Sequence, residues 1–204
     1  MVIKIGVLEL QGGYALHHNL LSKIGIRSFP VKSSKDLKQL DGLILPGGES
    51  TTISLLLKKY NLRDSIIKFA QHYPVIGTCA GLILMSKNVD DERVEPLGLF
   101  DLSISRNSYG RQINSSKKEI SLWYSKENKI EFYSTFIRAP KINAIGNDIN
   151  IIARHEDPPV AVMSKNLLGL SFHPEIDGID IFHKMMFDKS SKFYFEKLKQ
   201  GYAA

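Results

Sequence analysis

The segment from Pro74 to Gly81 constrains the fold of this 204-residue chain more than any other part of the sequence. Two apolar residues lead into Gly77-Thr78-Cys79-Ala80-Gly81, and a second apolar run, 82–85, follows at once. A short buried strand, a sharp turn and a buried helix account for this pattern. The G-x-C-x-G spacing is that of a nucleophile elbow, in which small flanking residues let strand and helix close beneath an exposed side chain. We therefore predict an α/β fold with Cys79 at the end of a strand.

Cys79 has two interpretations. A buried cysteine that only packs in the core is common in proteins. The flanking glycines favour a nucleophile instead, because the turn places the sulfur at a helix N-terminus, where the positive end of the helix dipole favours the thiolate. The N–H group of Ala80, next in the chain, is then free to help bind an oxyanion.

The first half of the chain alternates apolar strands with helical segments. Strands are predicted at Val2–Leu8, Ile26–Val31 and Gly42–Leu45 and, in the elbow, from Val75. Helices are predicted at 14–24, from Ser33 or Ser34 to Leu40, at 52–60 and at 62–71. This rhythm is typical of a doubly wound sheet whose parallel strands are covered on both faces.

Leucine and isoleucine residues form the predicted apolar side of the first helix: Leu16, Leu20, Leu21 and Ile24. Gly25 ends this helix as a C-terminal cap. Its adjacent histidines, His17 and His18, point in different directions, so we expect surface or partly packed residues and not metal ligands.

The second half of the chain has a different, β-rich pattern that follows a polar loop at 88–96. Strands are predicted at Leu97–Ser105, Glu119–Tyr124, Ile130–Ile137, Val160–Met163 and Leu167–Phe172. Turn signals at 146–148 and 157–159 favour antiparallel pairing. Two helices, near 180–187 and 190–200, are predicted last. No linker or repeat interrupts the sequence, so we expect residues 1–204 to form one domain.

A glycine-rich loop, Pro46-Gly47-Gly48-Glu49-Ser50-Thr51-Thr52, follows the third strand, at the end where ligands bind in such sheets. A phosphate-binding loop is excluded, because the Gly-Lys-Ser/Thr ending and its lysine are missing. One interpretation is a plain turn before a helix capped by Ser50 or Thr51. The other is a loop whose glycine N–H groups complete an oxyanion hole while Glu49 faces a substrate amine. The two roles are compatible.

His173-Pro174-Glu175 follows the apolar segment 168–172. Pro174 disfavours the helical region for His173, and residues two apart lie on the same side of an extended chain. Glu175 is therefore predicted to orient the imidazole. A turn that only precedes the last helices is the alternative. Because the chain also has an elbow cysteine, we favour a Cys79–His173–Glu175 triad, with His173 as general acid and base.

Composition limits the compartment and the partners. Hydrophobic residues make up 43% of the chain, and its single cysteine excludes an internal disulfide and suits a reducing compartment. The net charge of +6 comes from scattered residues, and no nucleic-acid-binding motif is present. No apolar run approaches the length of a membrane span. We expect a cytoplasmic protein with neither nucleic acid nor membrane as a partner.

Together these motifs resemble a known family. Gly77-Thr78-Cys79-Ala80-Gly81 with His173-Pro174-Glu175 is similar to the class I, or triad, glutamine amidotransferases. Four further motifs resemble the glutaminase subunits of pyridoxal 5′-phosphate synthase, the PdxT family: Gly6-Val7-Leu8-Glu9-Leu10-Gln11-Gly12, Leu45-Pro46-Gly47-Gly48-Glu49-Ser50-Thr51-Thr52, Arg106-Asn107-Ser108-Tyr109-Gly110-Arg111-Gln112 and Phe136-Ile137-Arg138-Ala139-Pro140. The resemblance ends around Glu175 and implies a three-layer α/β/α, flavodoxin-like fold with a mixed sheet.

The resemblance implies a reaction and a partner. L-glutamine is hydrolysed to L-glutamate and ammonia through a thioester on Cys79, without a metal or a bound cofactor. The ammonia passes to a β/α-barrel synthase subunit of the PdxS family, with which the chain forms a hetero-oligomer. That subunit makes pyridoxal 5′-phosphate from ribose 5-phosphate and glyceraldehyde 3-phosphate.

The resemblance also assigns the remaining site residues. The N–H groups of Gly48 and Ala80 form the oxyanion hole. Seven residues bind glutamine: Gly47, Gly48, Glu49, Ser50, Arg106, Ile137 and Arg138. The charges suit this assignment, because arginine can hold the α-carboxylate and Glu49 can meet the α-ammonium group.

Two other functions are compatible with the sequence. The chain could serve a different triad amidotransferase, or it could be a non-catalytic partner-binding module of the same fold. The intact triad argues against the second alternative. Thiol alkylation at neutral pH separates the two classes, because a docking module has no reason to keep Cys79 hyper-reactive.

Overall fold

The structure, a computed structural model, describes residues 3–106 and 115–199. Most of the motif that begins at Arg106, from Asn107 to Gln112, lies outside the described residues. Val2 and Gln200, at the ends of two predicted elements, also lie outside them. Within the described ranges, the strands form one nine-stranded and one three-stranded sheet. No helix in these ranges is long and apolar enough to cross a membrane.

The elements are numbered in chain order. The strands are β1 (Lys4–Leu8), β2 (Arg27–Val31), β3 (Gly42–Leu45), β4 (Val75–Thr78), β5 (Ser86–Val89), β6 (Phe100–Ser105), β7 (Ser116–Trp123), β8 (Lys129–Phe136), β9 (Lys141–Ile145), β10 (Asn150–Arg154), β11 (Pro159–Ser164) and β12 (Leu167–Leu170). The helices are α1 (Tyr14–Lys23), α2 (Ser50–Lys59), α3 (Arg63–Ala70), α4 (Ala80–Met85), α5 (Ile181–Phe187) and α6 (Lys192–Lys199), with a 3₁₀ helix at Ser34–Gln39.

The large sheet is mixed. Its parallel part has the order β2-β1-β3-β4-β12, which is the flavodoxin-like order of a doubly wound sheet. Beyond β12 the sheet continues with the antiparallel strands β11, β10, β7 and β8. The predicted α/β fold with a mixed sheet is confirmed.

Alternate residues of the central strands belong to two separate hydrophobic cores, one on each face of the sheet. On β3, Leu43 and Leu45 pack on the side of α2, α3 and α4, while Ile44 packs on the side of α1 and α5. All four residues of β3 and of β4 are buried. Continuous apolar strands form here because helices cover both faces of the sheet. This sandwich carries the strand ends at which the loops of the site begin.

Three of the described strands, β5, β9 and β10, were not predicted from the sequence. The last two residues of β5 fall in the predicted polar loop at 88–96, and its sequence Ser86-Lys87-Asn88-Val89 has too few apolar residues to indicate a strand. β9 and β10 were not predicted because only Ile142 of β9 is buried and the apolar run of β10 is short. β5, β6 and β9 make up the small sheet, whose inner side joins the core of α2, α3 and α4.

Candidate active site

Cys79 lies at a strained turn between β4 and α4. Its backbone φ of 48° is in the left-handed region, which residues with a Cβ rarely adopt. Its N–H donates to the carbonyl of Leu170 at 2.8 Å, which ties the turn to the end of β12. The side chain is 6% exposed, and its Sγ lies 3.7 Å from the carbonyl oxygen of Ile137. The predicted elbow geometry is therefore present.

The glycine after the elbow is required by close packing. A Cβ on Gly81 would collide with the carbonyl oxygen of Leu45, at the end of the neighbouring strand β3. One on Gly77 would lie 2.7 Å from the carbonyl carbon of Gly81. Strand and helix can meet beneath Cys79 only because both positions lack a side chain.

His173 and Glu175 form the predicted pair. His173 Nδ1 lies 2.7 Å from Glu175 Oε1, and both side chains are buried. The contact forms within a turn that begins at Pro174, not along an extended chain as the spacing had suggested. The turn is closed by the Ile176 N–H, which donates to the carbonyl of His173 at 3.2 Å.

The imidazole of His173 favours its charged form. Burial opposes the charge, but the hydrogen bonds and negative charges of Cys79 and Glu175 outweigh burial and raise the pKa of His173 to about 10. Burial also opposes the charge of Glu175, yet the neighbouring His17 and His173 lower the pKa of its carboxyl group. An imidazolium at His173 that contacts Cys79 and is paired with the carboxylate of Glu175 therefore fits the arrangement.

Asp177 anchors the histidine turn, and sequence analysis missed it. Its carboxylate accepts hydrogen bonds from the N–H and hydroxyl of Thr135 at 2.7 and 3.1 Å, and it pairs with Lys117 at 2.8 Å. Thr135 in turn accepts the N–H of His173 at 2.9 Å. The end of β8 thus fixes the backbone that carries His173.

The glycine loop lies against the same histidine. A Cβ on Gly47 would collide with the imidazole ring of His173, so the approach requires glycine. The Gly47 N–H donates to Thr78 Oγ1 at 3.0 Å, and its carbonyl accepts the N–H of Gly13 at 2.9 Å. Gly48 borders the cavity described below. Ala80 is buried as the first residue of α4, where a backbone N–H has no partner within the helix.

Glu49, and not Ser50 or Thr51, caps α2. Its carboxylate accepts hydrogen bonds from the backbone and hydroxyl groups of Thr51 and Thr52, and from Arg106 at 2.9 Å. Burial opposes its charge, but these hydrogen bonds prevail and lower the pKa of Glu49 to about 2. A negative charge is therefore present at the predicted position, and the carboxylate that carries it is held by hydrogen bonds from Thr51, Thr52 and Arg106.

Arg106 is held between two acids. Its guanidinium pairs with Glu49 and with Asp91, an acid that sequence analysis did not select. Arg138 is exposed and has a φ of 43°, the second left-handed residue in this region. The hydroxyl of Ser50 is buried and has no hydrogen-bond partner among the described residues.

These side chains surround one cavity of about 300 Å³, a size at the lower end for small-molecule sites. The predicted residues that line it are Gly47, Gly48, Glu49, Ser50, Cys79, Arg106, Ile137, Arg138, His173 and Glu175. Ala80 is the predicted site residue that does not line it. Residues that the sequence did not indicate also contribute: Gly13, Leu16, Ile83, Ile176 and Gln11, whose amide oxygen accepts the N–H of Glu49 at 2.8 Å.

The expectation for His17 was wrong. His17 is fully buried, whereas Leu16, predicted on the apolar side of α1, is 39% exposed. The inward stripe runs through His17, Leu20 and Leu21, so a spacing of three and four residues would have found it. His18 is partly buried and bonds Glu9 at 2.9 Å. No group of three potential metal ligands occurs among the residues described.

A doubly wound sheet with an elbow cysteine and a His–Glu pair at its carboxyl edge is the architecture of the triad amidotransferases. The sequence profile of the SNO glutamine amidotransferase family matches residues 7–191, and the chain belongs to this family.

Individual relatives agree with that assignment. Pyridoxal 5′-phosphate synthase subunit PdxT from Oenococcus oeni is 40% identical over 184 residues, covering 90% of this chain and 95% of the relative. The PdxT subunit from Dehalococcoides mccartyi is 40% identical over 206 residues, covering 99% and 100%. A crystal structure of a glutamine amidotransferase matches with a TM-score of 0.82 and 34% identity, covering 89% of this chain and 96% of that chain. PurLQS from Thermotoga maritima, with 17% identity and a TM-score of 0.67, shares the fold, covering 98% of this chain and 99% of that chain.

Proposed function

We propose that this chain is the glutaminase subunit of a pyridoxal 5′-phosphate synthase and delivers ammonia from L-glutamine to a barrel subunit of the PdxS type. The observation that carries the proposal is the meeting of Cys79, His173 and Glu175, from distant parts of the chain, in one cavity. The named PdxT relatives, which match over almost the whole chain, supply the acceptor pathway. The chain acts as one glutaminase domain, in keeping with a large sheet that joins strands of both halves.

The chemistry proceeds in two halves. The Cys79 thiolate attacks the carboxamide carbon of glutamine, and the N–H groups of Gly48 and Ala80 receive the negative charge on the oxygen. His173 gives its proton to the departing ammonia, which leaves a thioester. It then takes a proton from water as the water attacks the thioester and expels the thiolate. Glu175 keeps the imidazole oriented through both steps.

Charged groups around the cavity suit the zwitterionic end of glutamine. Arg138, exposed on the rim, would pair with the α-carboxylate. Glu49 remains ionised and supplies negative charge for the α-ammonium group. Its oxygens already accept several hydrogen bonds, so it acts through charge more than through a new hydrogen bond. The buried hydroxyl of Ser50 is available for a polar group of the substrate.

Replacing either arginine should weaken substrate binding. Arg106→Ala and Arg138→Ala are each expected to raise KM for glutamine about tenfold or more, because a hydrogen bond to a charged group contributes about 1.5–3 kcal/mol. Steady-state kinetics and a melting curve of each variant provide the measurement. Arg93→Ala is the matched control, since Arg93 pairs with the same Asp91 but does not line the cavity. An unchanged KM in both variants would reduce the arginines to surface ion pairs of little energetic value.

The partner is expected to activate the chain. The loop of Gln11 to Gly13 touches the glycine loop through the hydrogen bond from Gly13 to Gly47, so a partner that docks on the first loop acts on the second. Because losing one oxyanion donor costs on the order of a hundred- to a thousandfold in rate, rotating the Gly47–Gly48 peptide is enough to switch activity. Glutamine hydrolysis should therefore rise strongly when excess barrel subunit is added to the purified chain.

Gly13 offers a matched pair of variants for this coupling. Its φ of −83° is accessible to both alanine and proline, and a Cβ there would lie 3.9 Å from the nearest atom, the Gly47 oxygen. Gly13→Ala keeps the N–H donor, whereas Gly13→Pro removes it and turns its ring Cδ toward the Gly47 oxygen, so that the contact between the two loops is broken. The activation ratio should fall in the proline variant alone. Full activity of the isolated chain, unchanged by the partner, would instead indicate a free-standing amidase.

A further inference from the structure

Two buried histidines behind the triad have no part in the chemistry above. His17 on α1 and His183 on α5 are both fully buried. The Nδ1 atom of His17 lies 3.1 Å from Nε2 of His183, within hydrogen-bond distance. Buried polar side chains on two different helices cost desolvation free energy, which hydrogen-bond partners must offset.

The other ring nitrogen of His17 lies near two groups of the site, the hydroxyl of Thr78 and the carboxylate of Glu175. Its Nε2 lies 3.3 Å from Thr78 Oγ1 and 3.8 Å from Glu175 Oε1. Thr78 Oγ1 is the atom that accepts the N–H of Gly47, and Glu175 Oε1 is the oxygen that binds His173. One nitrogen atom therefore connects the glycine loop to the carboxylate of the triad.

The surroundings select the charge and the tautomer of this pair. Burial lowers the pKa of His17, and burial, followed by the neighbouring His17, holds the pKa of His183 well below 6.5, so both rings are neutral at pH 7. The carboxylate of Glu175 is buried, and its Oε2 has no hydrogen-bond partner among the described residues. A proton on His17 Nε2 is favoured here, because an N–H dipole stabilises the nearby negative charge.

The second histidine then completes the arrangement. With its proton on Nε2, His17 offers a lone pair at Nδ1, which accepts a hydrogen bond from the Nε2–H of His183. The atom left over is Nδ1 of His183, which has no partner within the part of the chain described. In this tautomer it is an acceptor, so the one ring N–H of His183 is the donor that pairs with His17.

We propose that His183 and His17 are positioning residues: His183 fixes the tautomer of His17, and His17 holds Thr78 and Glu175 so that the oxyanion loop and the His173–Glu175 pair stay in register. This role rests on the proposed glutaminase chemistry. It matters because a small misplacement of groups that do not themselves react can lower the rate strongly.

Variants of His183 test the proposal through the rate, because the hydrogen bond of this residue among the described residues is to His17, and it does not line the cavity. His183→Leu should lower kcat for glutamine about tenfold or more, with KM within about twofold, in the full chain assayed with the barrel subunit. His183→Gln should restore most of kcat, since its amide can donate the same hydrogen bond to His17 Nδ1. Failure of glutamine to restore kcat, or a loss in KM alone, would overturn the proposal.

Leu21→Ala is the control for simple loss of packing. Leu21 is buried one turn along the same face of α1 and belongs to the apolar core beside the site. This variant should lower the melting temperature while keeping kcat. A kcat loss equal to that of His183→Leu at an equal loss of melting temperature would show that the histidines serve only as core residues.

Nitrogen-15 spectra of the wild-type chain give a second measurement that needs neither a variant nor activity. At pH 7, His17 should be neutral, with its proton on Nε2 and Nδ1 unprotonated. The opposite tautomer, or a His17 that is charged at pH 7, would overturn the proposal. If the wild type instead shows this tautomer but does not hydrolyse glutamine with its partner, the proposed function fails and the hydrogen-bond arrangement stands.

Discussion

Cys79→Ala is expected to abolish glutamine hydrolysis while leaving the fold intact. Removal of a triad nucleophile lowers kcat by a factor on the order of 10⁶, because no other group in the cavity can form the thioester. The assay is ammonia release in the presence of the barrel subunit, with circular dichroism as the check on folding. Cys79→Ser should be similarly inactive, since His173 forms an ion pair with a thiolate far more readily than with an alkoxide. Wild-type-like turnover in a clean alanine preparation would contradict the assignment.

A third variant at this position separates catalysis from strain. Cys79 is held at φ 48°, and alanine inherits that conformation. Cys79→Gly should therefore be more stable than Cys79→Ala, by about 1 kcal/mol, because glycine adopts the left-handed region without a Cβ clash. Comparing the two free energies of unfolding measures the strain that the elbow maintains. Equal stabilities would show that the turn is not strained by its side chain.

His173→Ala is expected to cost almost as much as loss of the nucleophile, and Glu175→Gln considerably less. In the proposed mechanism His173 carries the proton in both halves of the reaction, whereas Glu175 only orients the ring through the 2.7 Å contact. Because the two act as a unit, the double variant should be scarcely slower than His173→Ala alone. If the two single losses multiply in the double variant, the residues act independently and the triad assignment is wrong.

A matched control exists two residues further along the same turn. Asp177 is another carboxylate, but its described hydrogen bonds and ion pair are to Ser134, Thr135 and Lys117 and not to the imidazole. Asp177→Asn should lower stability through its lost ion pair and leave the pH dependence of kcat unchanged. Glu175→Gln should shift that pH dependence, because it removes a negative charge that raises the pKa of His173.

Local sequence constraints explain which parts of the site could be predicted. The elbow depends on two glycines at fixed spacing, and the close contact of Gly81 with Leu45 shows why no other residue fits. The doubly wound, parallel part of the sheet could be predicted because short apolar strands alternate with helices. The glycine spacing and the apolar runs are both local signals, because each lies within a few residues of the turn, strand or helix that it predicts.

Partners from distant parts of the chain could not be predicted in the same way. Asp91 beside Arg106 and Asp177 beside Thr135 are ordinary acids in the sequence, and only the folded chain brings each pair together. The orientation of α1 was misjudged by one residue, which exchanged the buried His17 with the exposed Leu16. Glu49 both caps α2 and pairs with Arg106, and that tertiary contact is one that capping preferences alone do not indicate.

Because β4 pairs with β12, the proposed active site can form only after almost the whole chain has been translated. β4 ends at Thr78, just before the thiol, whereas its neighbour begins only at Leu167, and the two pair in parallel register with Leu170 opposite Thr78. Pairing strands so far apart in the sequence requires closing a long loop, and such non-local pairings slow folding. A ribosome-bound or prematurely terminated chain that stops before β12 contains Cys79 but neither His173 nor Glu175. The proposed triad is therefore complete only in a chain that continues past β12 and in which β12 has paired with β4, and a shorter fragment cannot hydrolyse glutamine through it.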